Sequence, residues 1–178
     1  MLLTHPSTSH TVALRSVYRP STDLGQPFHW LEAGWDNPET IVLLHGLMAH
    51  SMAFRCVVAA LSADYRVIIP DLPGHGRDQS FRAQALTPQI DSMVDWLAQL
   101  LDSLGTEKIH LVGHSLGATL SFLAASNPER FAQLATISLV SPGLQLTVPR
   151  WAPNIVKRIP VSLARLGTCR MGIRLYEP

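Results

Sequence analysis

The chain has 178 residues, of which 47% are hydrophobic and 15% charged, a composition typical of one folded domain with a substantial core. Its formal net charge of +1 favours neither nucleic acid nor a membrane surface as a partner. No apolar run is long enough to span a bilayer, and the N-terminus lacks the pattern of a secretory signal. We therefore expect a cytoplasmic protein that acts on a small molecule.

Segments with the pattern of strands alternate with segments that have helical periodicity. Strands are predicted within residues 11–20, 27–34, 39–46, 65–76, 108–115 and 134–143, several of them apolar throughout. Helices are predicted within 50–65, 87–105 and 115–130. The second has Thr87 as its cap and Pro88 at its first position, and the third is ended by Asn127 and Pro128. Apolar strands separated by helices predict an α/β fold, with a mostly parallel sheet covered by helices on both faces.

The segment GHSLG, residues 113–117, joins a predicted strand to a predicted helix. Gly113 and Gly117 lie two residues either side of Ser115, and they remove Cβ atoms that would collide in a sharp turn. Such a turn forces the serine backbone into a sparsely populated conformation and sets its hydroxyl at the N-terminus of a helix, which favours negative charge. The pattern is typical of a nucleophilic serine.

Together with LLHGL at 43–47 and PDLPGHG at 70–76, this motif resembles those of the α/β-hydrolase superfamily, and the resemblance covers about residues 27–143. It implies that Ser115 is the nucleophile of a serine hydrolase of the esterase or lipase type. The implied oxyanion hole consists of the backbone N–H groups of Leu47 and Leu116, and the implied chemistry needs no metal or organic cofactor. The substrate implied is a small molecule with an ester or related acyl bond.

Other roles for these residues remain open from the sequence. Ser115 also fits a helix cap, and His114 beside it fits a base less well than a packing residue. His45 and His75 are expected to be structural, because they lie in tight turns. Asp71 is expected to hold the following loop through backbone N–H groups rather than to serve as the catalytic acid.

Residues 1–149 are predicted to form the hydrolase core and residues 150–178 part of a helical lid. The latter carry six basic and one acidic side chain, against 8 basic and 12 acidic in the former. A hydrolase of this type has an acid and a histidine after the serine. Here no histidine follows Ser115, and the only acids are Glu129 and Glu177. The fold is therefore expected to be truncated before its last two strands, with an exposed sheet edge at 134–140 that invites self-association or a partner.

Three hypotheses follow. The chain is the N-terminal portion of an acyl hydrolase with impaired activity, a non-catalytic protein that binds acyl ligands, or one half of a split hydrolase completed by a partner chain. Esters, thioesters, amides, lactones and C–C bonds are all cleaved on this fold, so the sequence leaves the bond open.

Overall fold

A computed structural model describes residues 2–5, 8–20, 27–78 and 90–142 of the chain. Within them lie eight strands, one short 3₁₀ helix and three α-helices. In chain order the elements are β1 (Leu2–His5), β2 (Thr8–Ala13), β3 (Arg15–Arg19), β4 (Phe28–Ala33), β5 (Thr40–Leu44), the 3₁₀ helix (Ser51–Phe54), α1 (Arg55–Leu61), β6 (Arg66–Pro70), α2 (Ile90–Ser103), β7 (Ile109–His114), α3 (Leu116–Ala125) and β8 (Leu134–Val140).

Six of the described strands form one mixed sheet in the order β3-β4-β6-β5-β7-β8. The pairs β6-β5, β5-β7 and β7-β8 are parallel, whereas β3-β4 and β4-β6 are antiparallel. The central strand β5 is buried along its whole length, as expected for an apolar strand with helices on both faces of its sheet. The parallel strands bring the loops after β5, β6 and β7 to one edge of the sheet.

The side chains of the sheet alternate between two cores. On one face, Val42 and Leu44 of β5 pack with α2 and α3, and α2 supplies a continuous apolar stripe that includes Trp96, Leu97 and Leu100. On the other face, Ile41 and Leu43 pack with Val58 of α1. This arrangement confirms the predicted α/β fold with helices on both faces. Within the described ranges, no helix combines the length and the apolar character that crossing a bilayer would require.

The structure corrects the prediction in two places. The segment predicted as one strand at 11–20 divides at Leu14, a buried core residue, so that β2 pairs with β1 in a separate antiparallel hairpin and β3 pairs with β4. The helix predicted over 50–65 begins as a 3₁₀ turn and ends at Leu61. Thr87, Pro88 and the whole of the predicted lid at 150–178 lie outside the described residues.

Strand β8 forms the edge of the described sheet. It pairs with β7 on one side only, and six of its seven residues are exposed, Ile137, Leu139 and Val140 among them. A groove of about 230 Å³ runs between this strand and the end of α3. The expected open edge is therefore present in the part of the chain that the structure describes.

Candidate active site

Ser115 occupies a strained turn between β7 and α3. Its backbone angles are φ 52° and ψ −113°, a combination that a residue with a side chain rarely adopts and that costs about 1–3 kcal/mol. The turn is held by two backbone hydrogen bonds, from Ser115 N to the Val140 carbonyl at 2.9 Å and from Thr119 N to the Ser115 carbonyl at 3.0 Å. Ser115 stands at the N-cap of α3, yet its side chain makes no capping hydrogen bond there. The capping role that the sequence left open is therefore not observed.

The two glycines around Ser115 are required by close backbone approaches. A Cβ on Gly113 would lie 2.5 Å from the amide nitrogen of Ala118, and one on Gly117 would lie 2.7 Å from Cβ of Leu44. Real Cβ atoms essentially never come closer than 3.0 Å to another heavy atom. The turn at residues 113–117, which we call the elbow, can therefore pack β7, α3 and β5 together only with hydrogen at both glycine positions.

The loop after β5 lies directly against this elbow. A Cβ on Gly46 would lie 3.1 Å from both Ser115 Cβ and His114 Nδ1. The loop turns through Leu47 and Met48, with Ala49 N donating to the Gly46 carbonyl at 3.2 Å and Met48 at φ 62°. Its geometry places the Leu47 amide on the segment that borders Ser115.

The amides of Leu47 and Leu116 are available as donors. Leu116 is the first residue of α3, and the first amides of a helix have no partner within it. Among the described residues, neither amide donates a hydrogen bond to another protein group. Unpaired main-chain amides at a helix N-terminus are in general donors that favour negative charge.

His45 joins this loop to the loop that follows β6. It is fully buried, and its Nε2 accepts a hydrogen bond from Leu72 N at 3.0 Å. Its Nδ1 must then carry the proton, which it donates to the Gly46 carbonyl at 2.8 Å. Burial lowers the pKa of His45 to about 3, and the nearby His75 and His50 act in the same direction. The imidazole is a neutral structural link, as expected.

Asp71 fixes the loop after β6 through its buried carboxylate. Oδ1 accepts from Ser51 N at 2.7 Å, and Oδ2 accepts from Arg77 N at 2.8 Å and contacts His29 Nδ1 at 2.7 Å. Burial alone would raise the pKa of Asp71, but the hydrogen bonds from His29 and the two amides outweigh it and hold that pKa well below its usual range. The expected loop-tying role is confirmed.

No base is in place for Ser115 among the residues described. No histidine ring nitrogen in this part of the chain forms a hydrogen bond with its hydroxyl. His114 lies against Gly46 instead. Within the same ranges, no group of three or more His, Cys, Asp or Glu side chains is placed to hold a metal ion.

Two contributors to this region were not anticipated from the sequence. His29 was assigned only to a strand, and Gly46 only to the end of a strand and the LLHGL motif, yet one binds Asp71 and the other borders Ser115. The alternation of FHWLEA places His29 on a definite face of β4, but only the pairing of β4 with β6 reveals its partner.

Comparison with known proteins agrees with this geometry. The sequence model of the alpha/beta hydrolase fold family matches residues 39–163. A 2-hydroxy-6-oxononadienedioate/2-hydroxy-6-oxononatrienedioate hydrolase of Paraburkholderia phymatum is 34% identical over 151 residues, which are 80% of this chain and 51% of that protein. A pimeloyl-[acyl-carrier protein] methyl ester esterase of Aeromonas hydrophila is 36% identical over 99 residues, 55% of this chain and 37% of the esterase.

Among solved structures, a haloalkane dehalogenase of Agrobacterium tumefaciens C58 superposes with a TM-score of 0.64 at 21% identity, covering 80% of this chain and 47% of the dehalogenase. The similarity to this structure concerns the fold alone. The chain spans about a third to a half of the length of the curated relatives that it matches. The family match, the strand order and the glycine-flanked turn agree, and the chain belongs to the alpha/beta hydrolase fold family.

Proposed function

We propose that this chain is the nucleophile-bearing part of a hydrolase that cleaves an ester or related acyl bond through Ser115. The observation that carries the proposal is the strained backbone of Ser115, at φ 52° between two glycines that admit no side chain. Backbone strain persists only where the surrounding structure enforces it, and it is concentrated at functional sites. A serine that served only as a helix cap would need no such conformation.

The proposed step is acyl transfer. The Ser115 oxygen attacks the carbonyl carbon of the substrate, and the amides of Leu47 and Leu116 stabilise the oxyanion that forms. The alcohol leaves with the proton that the Ser115 hydroxyl gives up. Water then attacks the acyl-serine, which releases the acid and returns a proton to the Ser115 oxygen. Each oxyanion donor of this kind contributes about 10²–10³-fold to the rate.

The rate of the chain by itself is expected to be low. Removing the histidine of a serine triad lowers turnover by about 10⁶-fold, and about 10³–10⁴-fold over water remains from the oxyanion hole and binding. Since no base contacts Ser115 among the described residues, slow acylation with little turnover is the expected behaviour. The named relatives act on an acyl-carrier methyl ester and on an oxo-dienedioate, so the substrate is proposed only as a carbonyl compound with an acyl bond. A cytoplasmic location belongs to the same proposal.

A fluorophosphonate reagent tests the nucleophile directly. Tandem mass spectrometry of the labelled chain should find the adduct on Ser115 and little on Ser126, an exposed serine at the other end of α3 whose hydroxyl donates to the Phe122 carbonyl. Ser115→Ala should remove this adduct, whereas Ser126→Ala should leave it unchanged. Equal labelling of the two serines in the folded chain would refute the proposal.

The non-catalytic alternative predicts a different result. A protein that only binds acyl ligands would show a ligand-dependent rise in melting temperature with no adduct on Ser115. The two measurements on one protein sample therefore separate the hydrolase from the binding protein.

A further inference from the structure

A second serine, histidine and aspartate are linked in series by hydrogen bonds that do not involve Ser115. Ser16 Oγ lies 2.9 Å from Nε2 of His29, and Nδ1 of His29 lies 2.7 Å from Oδ2 of Asp71. The described hydrogen bonds do not connect any of the three side chains to the Ser115 elbow. Two ring nitrogens between a hydroxyl and a carboxylate are the arrangement by which a serine is activated in many hydrolases.

The sheet brings the three residues together by register. Ser16 and Tyr18 are two residues apart on β3, so their side chains lie on the same face of the sheet. Tyr18 pairs directly with His29 on β4. Asp71 follows β6, and its amide donates to the His29 carbonyl at 3.1 Å. Strands β3 and β4 therefore present Ser16 and His29 on the same face, and Asp71 joins them from the residue that follows β6.

The hydrogen bonds set the direction of proton transfer. Asp71 is an ionised acceptor that already binds two backbone amides, so His29 Nδ1 donates to it and carries the ring proton. With the ring proton on Nδ1, Nε2 is the acceptor for the Ser16 hydroxyl. His29 is buried and is covered by the ring of Tyr18 at 4.7 Å between centroids, which holds the imidazole in this orientation. Ser16 itself is exposed.

A cation stands beside the serine oxygen. Nη1 of Arg77 lies 3.4 Å from Ser16 Oγ. The backbone of Arg77 is held by the hydrogen bond that its N–H donates to Asp71 Oδ2. The guanidinium can donate to an oxyanion that forms on a carbonyl attacked by Ser16. The cluster thus contains a nucleophile, a base, a residue that orients the base, and a cationic donor.

From this geometry we propose that Ser16 is a second nucleophile, activated by His29 and oriented through Asp71, that accepts acyl groups from small activated esters. Ser16 Oγ bonds to the carbonyl carbon of the ester while its proton moves to His29 Nε2. The alcohol or phenol departs and takes up that proton, leaving an acyl-serine. Water hydrolyses the acyl-serine through the same imidazole, which releases the carboxylic acid and restores the hydroxyl.

The experiment uses the full chain with Ser115→Ala, so that it does not depend on the function proposed for Ser115. After brief exposure to p-nitrophenyl acetate, tandem mass spectrometry should find acetyl on Ser16 and distinguish it from Tyr18. The reference is Ser126 in the same sample, an exposed serine bonded to a backbone carbonyl. Because general base catalysis contributes about 10²–10⁴-fold, Ser16 should react at least about 10²-fold faster than Ser126.

Substitution at the base supplies the second measurement. His29→Asn keeps an N–H for Asp71 and removes the acceptor for Ser16, so it should lower the acetylation rate of Ser16 to that of Ser126. Should this variant not fold, unfolding the His29-containing chain in urea should abolish the excess reactivity of Ser16 in the same way. Equal rates for Ser16 and Ser126 in the folded chain, acetyl on Tyr18 alone, or an unchanged rate in folded His29→Asn would overturn the proposal.

Discussion

Replacing Gly117 by alanine tests whether close packing at the elbow is what holds Ser115 in its strained conformation. Gly117 has no left-handed backbone angle, so the added methyl group meets only a steric obstacle. That obstacle is the backbone carbonyl of Leu44 together with its Cβ at 2.7 Å. Neither is the far end of a flexible side chain, so the change must move β5 or α3.

The magnitude follows from the type of contact. Overpacking in a well-filled core costs about 1–3 kcal/mol and sometimes more, and a clash with backbone belongs at the upper end of that range. The substitution also restricts the unfolded chain, which returns about 0.4–1 kcal/mol. We therefore expect Gly117→Ala to lower the free energy of unfolding by about 2–3 kcal/mol and to slow fluorophosphonate labelling of Ser115.

Gly105 provides the matched control. It has φ 63°, yet a Cβ there would meet nothing within 4 Å. Alanine at this position costs about 1–2 kcal/mol of stability because of the left-handed backbone angle. Restriction of the unfolded chain offsets part of that cost, as it does at Gly117, and the substitution does not alter the elbow.

Urea unfolding followed by the fluorescence of the buried Trp30 and Trp96 measures both variants. Labelling of Ser115 should be unchanged in Gly105→Ala. If Gly117→Ala were as stable as Gly105→Ala and labelled at the wild-type rate, the steric explanation of the elbow would be wrong.

Three further predictions concern other parts of the site and the sheet edge. Asp71→Asn replaces an acceptor of three hydrogen bonds by a group with one acceptor oxygen, so it should lower the free energy of unfolding by about 3 kcal/mol in urea melts; a loss below about 1 kcal/mol would contradict the loop-tying role. His45 stays neutral in the folded chain down to about pH 3, whereas in the unfolded chain it takes up a proton below its ordinary pKa of 6.5. The free energy of unfolding should therefore fall as the pH drops through that window, by up to about 1.4 kcal/mol per pH unit. The same pH series on His45→Gln should show a shallower slope, and equal slopes would exclude His45 as the source. Finally, Ile137→Lys on the open β8 edge should reduce self-association measured by sedimentation velocity. Val57 is an exposed apolar residue of α1, and Val57→Lys should leave self-association unchanged. An equal effect of the two substitutions would show that the β8 edge is not where two chains meet.

The parts of the fold that the sequence predicted are those with a local signal. The strand TIVLL is apolar because helices cover both its faces, and α2 is amphipathic because one face packs on the sheet. The turn at Ser115 was predictable because a backbone clash must be relieved by glycine at fixed distances on either side. Each of these features depends on residues that lie within about twenty positions of one another in the sequence.

The parts that were missed depend on pairing between distant segments. The break at Leu14 is decided by two different partners, β1 for one strand and β4 for the next. The partner of His29 is 42 residues away. Glu32, which is buried, accepts from Arg15 and Arg66 across two neighbouring strands. Burial raises the pKa of Glu32, and the two guanidinium groups reverse this and lower it. Nothing in the local sequence reports such partners, because register is set by the assembled sheet.

The contact between Gly46 and the elbow divides the loop after β5 into a fixed part and a variable part. A Cβ on Gly46 would lie 3.1 Å from Ser115 Cβ and from His114 Nδ1, so a side chain there would have to displace one of these neighbours by a few tenths of an ångström. The side chains of Leu47 and Met48 are 54% and 44% exposed, and the amide of Leu47 is a feature of the main chain whatever side chain it carries. Substitutions at Leu47 and Met48 would therefore change an exposed surface of this loop and leave the main-chain amide of Leu47 in place.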